Sequence, residues 1–405
     1  MYTLYSLTSE LHSEPVAEPA DERFIQDIEK ALGEAFEFGS TDFSEYSRTR
    51  NNIIYVRTGG TEGIFKSIFC KEGSLNIPDG MPVRLLTSGK SNSLAASMEI
   101  LSFLNRAGWP GEILHGSAEE IALRLRGGFT KGGKSHVKEY DMGRILEGYK
   151  VGVVGKPSDW LISSDVDYAV AKERLGVEIV DINELVGLAE EPDRKWLEGL
   201  KLNPPNKPKF GKSISGKDFS GSMDIYCAMK TLVERYGLAG VSLRCFDLLT
   251  ALGNTGCMAL AILNSQGVVA TCEGDIPTLL SMCIAHQKFG ISGFQANLSR
   301  IDGDKMLFAH CTVPLNMVEE YSYDTHFESG IGVAVHGVLP AGAARIFKLS
   351  LDCSEMFLED VEILENQYND CLCRTQILVD APGLADYFLR FPIGNHHVII
   401  PERRQ

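Results

Sequence analysis

Residues 267–277 (GVVATCEGDIP) carry the side chains best placed for chemistry. An apolar, β-branched run goes straight into Cys272-Glu273-Gly274-Asp275. Two carboxylates therefore stand at the end of a buried strand beside a glycine, where α/β proteins seat their ligands. Asp275 is followed by Ile276-Pro277 and a helical run over 278–286, which predicts an N-cap with proline early in the helix. Glu273 has no such structural duty and reads as a catalytic acid or base and a metal ligand, with Asp275 as the second catalytic candidate. His310 ends another apolar run, 307–314 (LFAHCTVP). Gly394-Asn395-His396-His397 precedes the strand-like Val398-Ile399-Ile400. Adjacent histidines on extended chain point to opposite faces, so one can face a site while the other packs. One carboxylate with one to three histidines, far apart in sequence and all at strand ends, suits Mn²⁺ or a similar divalent ion with positions open to substrate oxygens. It does not suit a closed structural zinc site.

Ser88-Gly89-Lys90-Ser91 invites a phosphate-loop reading, but the upstream glycine of that motif would fall at 84, which is Arg84. The motif therefore fails, and a plain helix start is the simpler reading. Gly59-Gly60 and Gly152/Gly155 sit at strand ends without forming the dinucleotide fingerprint. No nucleophile elbow is present, and no cysteine has an obvious base, which ranks an aldolase or hydrolase last.

These residues need elements to hold them. Residues 52–58 and 83–87 read as strands, each followed by a small-residue loop; Ser93 caps an amphipathic helix over 94–107. Residues 112–114 and 117–126 repeat strand and helix. Val151–Gly155 (VGVVG), a helix over 165–175 and a strand over 177–181 restart the pattern. Repeated strand–loop–helix means parallel α/β layers. Residues 201–216 read as an extended connection, and 218–236 as a helix. From 291 onward strands alternate with turn signals, and helical signals are few. The expectation is an α/β fold of two Rossmann-like domains, 1–145 and 146–290, the second carrying Glu273, followed by a β-rich, barrel-like domain over 291–405.

The bulk numbers narrow the class. A chain of 405 residues with 44% hydrophobic and 23% charged residues can bury a large core without disulfides or metal. The net charge of −15 argues against general affinity for nucleic acid or anionic membrane. Most of the ten cysteines lie in apolar runs, as reduced buried cysteines do, and Cys371-x-Cys373 lacks zinc-knuckle spacing. Residues 1–15 show no secretory signal, and no apolar stretch reaches membrane-spanning length. A reducing cytoplasm is expected.

The order of five segments resembles the shorter members of the L-fucose isomerase-like group, related more distantly to L-arabinose isomerase. They are Thr58-Gly59-Gly60-Thr61-Glu62, then Asn92-Ser93 with Ala95-Ala96 and Glu99-Ile100, then Cys272-Glu273-Gly274-Asp275, Ala309-His310-Cys311 and Gly394-Asn395-His396-His397. The resemblance covers most of the chain. It implies two α/β layers and a β-rich domain, a trimer or hexamer whose sites neighbours complete, and aldose–ketose interconversion of a pentose or deoxyhexose through an enediol on a divalent metal. It assigns Glu273 as the first metal carboxylate and His396 or His397 as the metal histidine, His397 slightly preferred. His310 becomes the additional site histidine, near the substrate. The second metal carboxylate would fall at 297, which is Asn297: an asparagine oxygen can coordinate, but it brings no charge and cannot act as a base. Asp275 or Asp302 could stand in. Lys90, Asn92 and Arg57 are candidates for sugar hydroxyls. The other reading is a sugar-binding relative on the same scaffold that has lost its chemistry at Asn297.

Overall fold

Thr3–Leu7, Asn52–Val56, Val83–Thr87 and Gly111–Leu114 run parallel in that order, and Glu37–Phe38 adds to the free edge of Thr3–Leu7. Asn52–Val56 and Val83–Thr87 are buried along their whole length, as strands covered by helices on both faces must be. A second parallel sheet has the order Glu178–Ile182, Lys150–Val154, Gly240–Leu243, Val269–Cys272. The C-terminal region forms an antiparallel barrel of six strands: Gly342–Leu349, His396–Pro401, Phe294–Asp302, Lys305–His310, Thr375–Asp380 and Glu355–Gln367, with the last closing back onto the first. Val137–Glu139 adds to Glu355–Gln367 from outside the ring. The computed structural model describes residues 1–9, 18–71, 74–78, 80–139 and 141–402. No described helix is long and apolar enough to cross a membrane.

The mixed α/β character, the parallel sheets and the barrel agree with the sequence reading. Two strands escape it. Thr3–Leu7 lies in a stretch whose overall polarity hides five mostly buried residues. Glu355–Gln367 (EMFLEDVEILENQ) carries five acidic residues, a composition that strands ordinarily avoid. Only Phe357, Val361 and Ile363 turn inward there, and the acids face outward. One continuous apolar core contains Val83 of the first sheet, Leu243 of the second and Phe308 of the barrel. The three sheets thus pack directly on one another, with their loops converging between them.

Candidate active site

The parallel strands converge by their carboxyl ends. After Asn52–Val56 come Gly59, Gly60 and Glu62; after Val83–Thr87 comes Asn92; after Lys150–Val154, Trp160; after Gly240–Leu243, Phe246; after Val269–Cys272, Glu273. The barrel supplies Asn297 and, just before His396–Pro401, Asn395; Glu328 comes from the loop between Glu320–Asp324 and Ala334–Val338, a separate strand pair. Together these residues line an open cavity of about 510 Å³, counted out to its mouth. Trp160 and Phe246 meet edge to face at 4.8 Å on one wall. None of the described lining residues is Lys, Arg or His.

Glu273 sits in left-handed backbone, φ 68°, rare for a residue with a side chain. Gly274 follows at φ 72°, where a Cβ would run into the carbonyl oxygen of Lys156 and lie 2.7 Å from Pro157 Cα. This tight turn lifts the Glu273 carboxylate off the strand end and into the cavity. Trp160 Nε1 donates to Glu273 Oε2 at 2.7 Å. His396 Nε2 stands 3.5 Å from Glu273 Oε1 without a well-aligned hydrogen bond.

Behind Glu273 lies a buried relay. His396 Nδ1 meets Asp275 Oδ2 at 2.8 Å, and Lys348 Nζ is 3.5 Å from the same oxygen. Asp275 Oδ1 accepts from the Thr278 backbone N–H at 2.8 Å, which makes Asp275 the N-cap of the helix Ile276–Phe289, with proline in its first turn. Burial opposes the charge of His396, yet the facing Glu273 and Asp275 carboxylates outweigh it and push the imidazole up to about 9. Burial likewise opposes charge on Glu273, but His396 holds its carboxyl below the ordinary range. Lys348 and His396 hold Asp275 lower still against its burial.

His310 is buried, its ring centroid 5.3 Å from that of His396, with Nδ1 2.8 Å from Thr312 Oγ1. Burial, reinforced by the neighbouring His396, keeps it neutral, down to about 3. Asn297 pairs with His396 across the strands, is 4% exposed, and its Oδ1 has no donor.

Four sequence expectations change at this point. Of the adjacent histidines it is His396, not the preferred His397, that reaches the carboxylates. His397 faces the other side of the strand, where the Tyr387 hydroxyl meets its Nε2 at 2.7 Å and Phe357 and Phe388 enclose it. Asp275 does not line the cavity: both its oxygens are committed to Thr278, His396 and Lys348, so it positions His396 rather than touching a substrate. Lys90 is exposed and lies outside the lining, and Arg57 pairs with Glu22 away from the cavity. Asp302 is exposed at a hairpin turn and cannot stand in for Asn297. Asn92 does line the cavity, held at φ 57° with Nδ2 donating to Glu328 Oε1 at 2.7 Å.

Several lining residues were not singled out as site residues from sequence. Glu62 carries the same signal as Glu273, a carboxylate directly after glycines at a strand end. Trp160 and Phe246 follow strand ends by a few residues. Glu328 lies in the loop between Glu320–Asp324 and Ala334–Val338 and gives no sequence signal. Glu62 is 2% exposed, with Oε2 lacking a partner. Burial, with Glu99, Glu273 and Glu328 nearby, pushes its carboxyl well above the ordinary range. Burial and Glu273 push Glu328 up to about 7.

The donors fit a hard divalent cation, which would take the place of the proton on His396 Nε2. Asn297 Oδ1 and His396 Nε2 are buried without aligned partners beside an ionised carboxylate, and the Asp275–His396 contact is the carboxylate–histidine arrangement that orients a ligating imidazole. Cys272, Glu273 and His310 also present atoms within 4.8 Å of one another. The Cys272 thiol is pushed well above its usual range by its contact with Cys245, 2.7 Å away, and by burial.

No family model matches the chain. Curated relatives do. It is 24% identical over 273 residues to the sulfoquinovose isomerase of Priestia megaterium (strain ATCC 12872 / QMB1551), covering 64% of this chain and 59% of that protein. It is 22% identical over 227 residues to the sulfoquinovose isomerase of Alkalicoccus urumqiensis, 54% of this chain and 49% of the relative. Over 153 residues it is 28% identical to that of Clostridium sp. (strain MSTE9), 34% of this chain and 33% of the relative. The matches span less than two thirds of the relatives' length. The similarity is to sugar isomerases at low identity, without singling out the L-fucose or L-arabinose type.

Proposed function

We propose that this protein interconverts an aldose and its ketose through an enediol, with a divalent ion, Mn²⁺ or similar, held by Glu273, Asn297 and His396. The observation that carries the reading is the Asp275–His396–Glu273 relay, opening beside the donor-free Asn297 oxygen into the cavity. The names of the low-identity relatives agree with it. When bound, the ion polarises the carbonyl and steadies the developing oxyanion.

The chain's own residues supply the rest. Glu273, ionised and lifted into the cavity, removes the hydrogen next to the carbonyl and returns it to the neighbouring carbon. Asp275 fixes the His396 ring, with Lys348 balancing its charge. Trp160 and Phe246 offer apolar faces to a sugar ring, and Asn92, Asn395 and Glu328 offer partners for hydroxyls. The substrate class we propose is a pentose or deoxyhexose. A homo-oligomer of three or six chains and a cytoplasmic setting belong to the same proposal; light scattering tests the first.

One observation favours a second reading. Asn297 cannot transfer a proton, as a protein that binds sugar without turning it over would not need to. Calorimetric titration with Mn²⁺ separates a built metal site from none. One ion per chain is expected, lost in Glu273→Ala. A folded wild type that binds no ion contradicts the assignment of Glu273, Asn297 and His396 as ligands.

A further inference from the structure

The geometry points to Glu62 as the second proton-transfer group of this site, a catalytic residue in the place that Asn297 leaves without an acid. The inference rests on the isomerase reading above. Glu62 opens the helix Glu62–Phe69, directly after Gly59-Gly60-Thr61 at the carboxyl end of Asn52–Val56. It lines the same cavity as Glu273 and Asn297, is 2% exposed, and its Oε2 has no hydrogen-bond partner. A buried carboxyl oxygen without a partner is costly to keep. A fold retains such an atom where a ligand supplies the partner.

The neighbouring acids are less well placed, although Glu99 Oε2 is also buried without a partner. Asp275 is tied to Thr278, His396 and Lys348. Glu99 Oε1 accepts from Ser163 N–H at 2.6 Å and from Ser164 at 3.1 Å, and Glu99 does not line the cavity. Glu328 lines it but is less buried and is bonded to Asn92. Glu62 therefore combines depth, a free oxygen and access to the cavity.

Its surroundings also set its form. No described lysine, arginine or histidine lines the cavity beside Glu62, whereas Glu273 faces His396 Nε2 at 3.5 Å and accepts from Trp160 Nε1 at 2.7 Å, so Glu62 is placed as the neutral acid and Glu273 as the base. An ionised and a neutral carboxyl in one cavity are a base and an acid. From the aldose side, Glu273 takes the C2 hydrogen as a proton while Glu62 protonates O1, giving the enediol. Glu273 then returns its proton to C1, and the carboxylate of Glu62 takes the O2 hydroxyl proton, leaving C2=O. Both glutamates end as they began and no outside oxidant is needed; the proton resting on Glu273 exchanges with solvent before it returns, so in D₂O deuterium reaches C1.

The test compares wild type, Glu62→Gln and Glu328→Gln as full chains supplied with Mn²⁺, on an aldose that the wild type turns over. Glu62→Gln is expected to lower kcat by about 10²-fold or more, with KM little changed and Mn²⁺ binding and melting temperature kept. Glu328→Gln is expected to act mainly on KM. If Glu62→Gln fails to fold, Glu62→Asp is measured instead, with kcat expected below wild type. A Glu62→Gln or Glu62→Asp enzyme with wild-type kcat overturns the role of Glu62 and leaves the isomerase reading standing. A wild type that converts no aldose with Mn²⁺ bound overturns both.

Discussion

Glu273 is held at positive φ by its surroundings, and strain of this kind, about 1–3 kcal/mol, persists in folds chiefly at functional sites. Trp160 donates to its Oε2 and His396 faces its Oε1 at 3.5 Å, so the carboxylate is oriented before any ligand arrives. Beside it Asn297 is the anomaly. Restoring the acid with Asn297→Asp adds a charged donor where an uncharged oxygen now sits, and Mn²⁺ affinity is expected to rise at least tenfold, about 1.4 kcal/mol, by calorimetry. Unchanged affinity would remove Asn297 from the coordination sphere. Sequence pointed to Glu273 because an apolar strand runs directly into it. The choice between His396 and His397 was not legible, since alternation says only that the two face opposite ways, not which way is inward. Lys348 was hidden for a similar reason: a lysine in a barrel strand is ordinary until Asp275, from another layer, is packed beneath it.

Two elements do the positioning. The turn Glu273-Gly274 works because residue 274 has no side chain. Gly274→Ala would force a Cβ into the Lys156 carbonyl at positive φ, with an expected loss of about 2–4 kcal/mol in urea unfolding and reduced Mn²⁺ binding. A change below 0.5 kcal/mol would contradict the crowding.

The second element is the bulge between Leu298 and Arg300 in Phe294–Asp302. There the Ile301 backbone N–H donates across to His115 Nε2 at 3.1 Å, and His115 Nδ1 meets Thr87 Oγ1 at 2.7 Å, so one neutral imidazole joins the first sheet to the barrel. Burial holds His115 down to about 4, against 6.5 when unperturbed. Between these values the unfolded chain binds a proton that the folded chain does not. Stability from this residue is therefore complete above pH 6.5 and falls as pH drops toward 4, by on the order of 3 kcal/mol. His115→Gln, which keeps an acceptor for Ile301, is expected to flatten that acid limb in urea midpoints measured from pH 7 to 4. An unchanged slope would contradict the linkage. None of this could be read from sequence, because the partners are 186 residues apart. Local periodicity showed the short apolar strands of both parallel sheets, while the acid-rich Glu355–Gln367 closed the barrel unannounced.

At the scale of the whole molecule, the cavity exists because the sheets share one core. Phe308, fully buried on the barrel side, packs in the same cluster as Val83 and Leu243. Phe308→Ala should cost about 3–5 kcal/mol and shift the far-ultraviolet and tryptophan unfolding curves together; a shift confined to one probe would show that the layers unfold independently. Composition and strand order in the sequence announced parallel layers and a β-rich end. They did not announce that the carboxyl ends of both parallel sheets face the barrel, which is what brings Glu62, Glu273 and Asn297 into one space. The central claim is aldose–ketose isomerisation at that junction. The most direct test is proton NMR in D₂O with Mn²⁺ and a panel of neutral pentoses and deoxyhexoses, for wild type and Glu273→Gln. The account predicts that one aldose yields its ketose, with deuterium entering next to the carbonyl, and that Glu273→Gln does neither. A wild type that binds Mn²⁺ and sugar yet neither exchanges that hydrogen nor forms ketose would contradict it.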